Sequence, residues 1–154
     1  MLVRWLIAAI HLLAYGFALA SILRRTWALR RATVPAALRS LFRADSRWGI
    51  SALVLLVTGV MRVFGGYEKG ADYYLHEPLF HIKMTLLVII LILEVPSMLA
   101  LMRWRAAIRK GVAPDLRKAR SYARYSVIQT ILLVLMVFAA TGMARGVGLP
   151  AGMV

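Results

Sequence analysis

Residues 58–86 read TGVMRVFGGYEKGADYYLHEPLFHIKMTL, a short polar segment with a long apolar run on either side. Such a pattern is the turn of a hairpin whose two arms cross a membrane. It sets Arg62, His76, His81 and Lys83 at or just inside one membrane edge. Burying an ionisable group there is costly, so each of the four needs either a partner or a task.

Working outward, the apolar runs cover residues 2–23, 48–64, 79–102 and 125–144. Each approaches the ~20 residues that span a ~30 Å hydrocarbon layer. Composition agrees: 62% of the 154 residues are hydrophobic and the mean hydropathy is +0.76, well above a soluble domain. Four such helices nearly fill the chain. The expected fold is therefore an all-α membrane protein, a four-transmembrane-helix antiparallel bundle forming one integral membrane domain over residues 1–154. The first run carries a single Arg4 and no small-x-small cleavage site ahead of a soluble domain, so it reads as a retained helix rather than a secretory signal.

The net charge of +14 is sorted by loop. Arg24, Arg25, Arg30, Arg31, Arg39, Arg43 and Arg47 fall in the first connection, and Arg103, Arg105, Arg109, Lys110, Arg117, Lys118, Arg120 and Arg124 in the third. The second connection holds Glu68, Lys69, Asp72 and Glu77 and is net acidic. The positive-inside rule then places the first and third connections in the cytoplasm and both termini outside, in a bacterial inner membrane. Most of the basic residues are accounted for by topology and anionic headgroups, which argues against nucleic-acid binding. The absence of cysteine excludes disulfides, iron–sulfur ligation and thiol chemistry.

The connections carry helix signals of their own. Residues 34–48 place Pro35 in a first turn, with Leu38, Leu41 and Phe42 on one side and Arg39, Arg43 and Arg47 toward the other, the pattern of an interfacial helix. Gly111 suits the end of an extended third helix, and Pro114 with Asp115 the start of the fourth. Pro96 is expected to kink helix three by freeing the carbonyl of Ile92.

Several polar residues within or beside the spans invite a functional reading. At ~1.5 Å per residue, His11 lies roughly 9 to 13 Å into the first helix and His81 about 5 Å into the third. His11 shares a face with Tyr15 and Ala18, so it points into the bundle, either to hydrogen-bond a neighbouring helix or to hold a metal. Arg62 and Arg145 close helices two and four on the same side of the membrane. Phospholipid phosphate accounts for them, and so do the propionates of a haem whose iron a histidine holds. Lys83 either snorkels outward or joins His81 as a catalytic candidate. Glu94, alone in the inner half of helix three, is a proton relay, a protonated carboxyl, or the partner of Arg103 or an inner-loop arginine; Gln129 and Thr130 fall at its level and suit interhelical hydrogen bonds. His76 and His81 with Asp72, Glu77 and Glu68 offer a weakly spaced copper or zinc site.

The run from Gly59 to Lys83, with G-V-M-R-V-F, E-K-G and H-x-P-L-F-H-x-K, resembles the four-helix predicted membrane proteins of domain of unknown function 2214, and the likeness extends from His11 to Arg145. A more distant resemblance is to HemJ-type protoporphyrinogen oxidases. It rests on His11 in helix one, on the arginine-containing approach to helix two within residues 39–58, and on Phe80-His81-Ile82-Lys83. The chain departs from that second family in lacking its helix-one tryptophan, its proline-arginine pair and the later histidine of helix three. The resemblance implies haem b with His11 on the iron; joined to the reading of the residues, it gives an expected site with His81 as second ligand or proton donor and Arg62 and Arg145 on the propionates. It also implies electron transfer or oxidation of a porphyrinogen-type substrate, with a quinone or another haem protein as electron partner. A metal or small-solute carrier, and an accessory subunit of a membrane complex or homo-oligomer, are the alternatives.

Overall fold

The apolar runs fold as helices that outgrow them. In the computed structural model, which describes residues 1–32, 35–65 and 76–147, α1 spans Leu2–Arg30, α2 Pro35–Phe64, α3 Pro78–Arg109 and α4 Ala119–Ala144. All four are long and apolar enough to cross a membrane, and no strand occurs among the described residues. At ~1.5 Å per residue they reach roughly 39 to 48 Å, past a ~30 Å hydrocarbon layer. The excess is built from the basic segments. The expected interfacial helix over residues 34–48 is not separate but the first half of α2. No glycine or proline falls between Pro35 and Gly49 to break it, and Leu38, Leu41, Ala44 and Trp48 form one buried stripe along it.

The ends follow local chemistry. Gly111, at φ +71°, closes α3: its N–H donates to the Ile108 carbonyl and the Val112 N–H to that of Ala107. Pro114 and Asp115 do not open α4, which begins at Ala119. Asp115 instead accepts the Arg117 backbone N–H at 3.1 Å and folds the chain into a local turn. Pro96 is carried inside α3.

The interior mixes small residues, with Ala14, Ala18, Ser21, Ala100, Ala123, Ser126 and Ala139 buried, and a few large ones such as Ile22, Leu41, Leu101 and Trp104, while many large side chains, among them Leu12, Phe17, Ile92 and Phe138, point outward. That inversion of the soluble pattern is what lipid as solvent permits, because close backbone approach takes over from apolar burial as the source of cohesion. Helix α1 packs along α2 and α4, and α3 along α4. The register is antiparallel throughout: His11 meets Thr58, Tyr15 donates to the Leu133 carbonyl, Gln129 donates to the Ile90 carbonyl, and Trp104 stacks edge-on against Tyr122. Consequently the basic segments all gather at one end of the bundle, the basic end. His11, Arg62, His81 and Arg145 lie toward the other.

Candidate functional site

Two polar centres occupy the bundle, and the one nearer the basic end is the more completely built. Arg25 has no solvent exposure. Its guanidinium forks onto Glu94 of α3, with Nη1 donating at 2.6 Å and Nη2 at 2.8 Å. It also donates to Asp45 of α2 at 3.2 Å, and to Ser126 and Gln129 of α4 at 3.2 and 2.9 Å. The plane lies over the Trp48 ring, 5.5 Å from its centroid. One side chain of α1 thus grips all three other helices. The groups that receive it are tied in turn: Gln129 donates to Glu94 at 2.9 Å, and Arg105 donates to the second Asp45 oxygen at 2.9 Å. Two guanidinium groups face two carboxylates, a neutral set at low dielectric.

This centre settles several expectations. Glu94 pairs with an arginine of the first basic segment, Arg25, rather than with Arg103. Gln129 does lie at the level of Glu94 and bonds it, whereas Thr130 donates to the Ser126 carbonyl in its own helix. Reading the sequence alone counts Arg25 as a topological charge and does not single out Asp45. A signal exists: Arg25 continues the stripe Ala14, Ala18, Ser21 at spacings of four, three and four, which puts it on the packing face of α1. Asp45 is the lone acidic residue among the arginines of its segment.

The second centre is looser. His11 is half-buried between α1 and α2, its Nδ1 2.7 Å from Thr58 Oγ1. The Thr58 hydroxyl donates to the Val54 carbonyl at 2.6 Å. Its one hydrogen is therefore committed, so His11 Nδ1–H is the donor to Thr58 Oγ1. Arg62 is half-buried one turn beyond Thr58. Met143 is buried near the end of α4, and Arg145 caps that helix with its side chain exposed. His81 is exposed on α3: its Nδ1 lies 3.1 Å from the Glu77 carbonyl, and Phe80 meets its ring edge-on. These contacts lie within one helix and do not bring His81 to His11. Lys83 is half-buried and His76 exposed. Glu77 is fully buried, and among the described residues neither of its carboxylate oxygens has a hydrogen-bond partner. Among the described residues no group of three or more His, Asp or Glu side chains could hold a metal ion. Glu68 and Asp72, required by the copper or zinc reading, lie outside the described residues.

The fold and the buried ionic centre define a class, a multi-pass α-helical membrane protein whose four spans are tied by one arginine. Residues 3–148 match the predicted membrane protein family DUF2214, and the chain belongs to that family. Location in the inner membrane accords with such membership. No curated protein and no solved structure matches the chain.

Proposed function

We propose that this is a membrane redox protein that holds b-type haem in the half of the bundle away from the basic end, with His11 as axial ligand, and exchanges electrons with a quinone or another haem protein. The observation that carries the reading is the 2.7 Å contact that ties His11 Nδ1 to the Thr58 hydroxyl. A ring that donates through Nδ1 to a neighbouring oxygen presents Nε2 to a metal, the arrangement found at histidine-ligated sites. The donor set also suits haem, since Arg62 lies one turn from Thr58 on the same face and is suited to receive a propionate. Arg145 would serve the second propionate, and the buried thioether of Met143 is a candidate second ligand. Bound haem would supply one-electron chemistry; the chain's own residues orient the imidazole and neutralise the carboxylates. His81, exposed and held to its own helix, suits proton exchange with the aqueous side better than ligation. Porphyrinogen oxidation, with His81 and Lys83 as catalytic candidates, is the finer form of this proposal.

The Arg25 centre favours a second reading. The polar groups of the Arg25 side chain are all used in joining helices, as in an accessory subunit whose polar residues serve assembly. A visible spectrum of the detergent-purified protein separates the two. The haem reading expects a Soret band that His11→Ala abolishes and His81→Ala only shifts. A colourless wild type, from cells supplied with haem precursor, would leave the accessory reading standing.

A further inference from the structure

At the basic end, between α1 and α4, a cleft of about 340 Å³ is lined by Arg30, Arg120, Ala123 and Arg124. We infer that it holds the phosphate headgroup of an anionic phospholipid from the adjoining leaflet. Among the described residues none of the three cleft arginines takes part in an ion pair, unlike Arg25, Arg105 and Arg117. Arg120 and Arg124 are one turn apart on the same face of α4, where like charges destabilise a helix unless an anion lies between them. Arg30 adds a third cation from the last turn of α1. Among the described residues no carboxylate lines the cleft. Three guanidinium groups converging on one concavity without a protein counter-ion form a phosphate site, and their planar forks match phosphate oxygens.

The surroundings choose lipid over free phosphate. Along α4 the face of Arg120 and Arg124 continues as exposed Ile128, Ile131 and Leu135. The cleft therefore stands at the head of an apolar lane, a headgroup site above a track for acyl chains. Tyr122 and Tyr125 stack edge-on at this level, as side chains of an interfacial belt do. Basic pockets between spans on the cytoplasmic side are where such headgroups bind.

The test uses the full chain purified in mild detergent, with native mass spectrometry counting retained lipid after phosphatidylglycerol or phosphatidylcholine is added. Wild type should retain phosphatidylglycerol preferentially. Each of Arg30→Gln, Arg120→Gln and Arg124→Gln should weaken retention about fivefold. The control triple Arg43→Gln/Arg47→Gln/Arg109→Gln removes three charges from the same end, where each single variant removes one, and should leave retention unchanged. Equal loss in the control would overturn the site in favour of diffuse surface attraction. So would full displacement by inorganic phosphate at a concentration equal to the lipid, since a site that ignores the acyl chains is a free-phosphate site. Near-native circular dichroism of each variant excludes misfolding as the cause of loss.

Discussion

Replacing Arg25 with methionine keeps most of the apolar stem of the side chain while deleting the charge that joins four helices. Five hydrogen bonds disappear, two of them the fork onto Glu94. Summing them at ~1.5–3 kcal/mol each for bonds to charged groups would overstate the loss, because the bonds share one guanidinium and act together. Interhelical bonds in membranes also average nearer ~0.6 kcal/mol, since the separated helices find other partners. The charge left behind matters more. Breaking a buried pair by removing one member costs about 3–5 kcal/mol. Asp45 retains Arg105, so the orphan is Glu94, whose side chain is 18% exposed. That exposure places the expected loss near the lower bound, about 3 kcal/mol. Denaturant unfolding in mixed micelles, followed by tryptophan fluorescence from Trp48 beneath the Arg25 guanidinium, would read it. The double variant Arg25→Met/Glu94→Leu removes the orphan and should recover more than half of the loss. Arg25→Lys should fall between, because an ammonium cannot reproduce the fork. A single variant within about 1 kcal/mol of wild type, or a double variant as unstable as the single, would refute the assignment of Arg25 as the centre of the bundle.

Three further outcomes are expected. Arg62→Gln should lower haem retention after detergent washing more than Arg145→Gln does, because Arg62 is half-buried and Arg145 exposed, while Arg30→Gln should leave haem retention intact; equal loss in all three would assign the arginines to general stability. An alkaline-phosphatase fusion at the C-terminus should be active and one in the segment between α3 and α4 inactive, and the reverse pattern would invert the orientation. Gly111→Ala should lower stability by about 1 kcal/mol, the cost of placing a Cβ in the left-handed region, with a thermal midpoint unchanged in detergent ruling out that strain.

What can be read from the sequence divides along a physical line. Spans are legible because hydropathy is summed over some twenty residues, so α1 to α4 are all visible as apolar runs. Their true ends are less so: α1 continues through Arg24 and Arg25 to Arg30, since arginine is a good helix former and hydropathy falls before helicity does. That is why Arg25 reads as a loop charge. That His11 faces a neighbouring helix is legible from its shared face with Tyr15 and Ala18, and its bond to Thr58 bears this out. The identity of the partner is not, because pairing between helices depends on rotation and register, which one sequence does not encode in any local pattern. Glu94 illustrates both halves, with the need for an arginine partner readable from its burial cost and the choice of Arg25 over Arg103 decided only by which helix face packs inward.

The charge balance of the Arg25 centre also bears on where any chemistry takes place. Each carboxylate is shared: Glu94 accepts from Arg25 and Gln129, and Asp45 accepts from Arg25 and Arg105. A proton arriving on Glu94 would turn an acceptor in the fork into a competing donor, and leave two cations facing one anion at low dielectric. A relay group must change charge repeatedly without dismantling its surroundings. Glu94 is therefore better suited to holding the helices than to carrying protons, and the expectation of a relay there yields to that of a clamp. At the opposite end, Thr58 holds His11 through Nδ1. A group held in that way can exchange the partner of its second nitrogen without breaking that helix contact, which is what a ligand-binding residue requires.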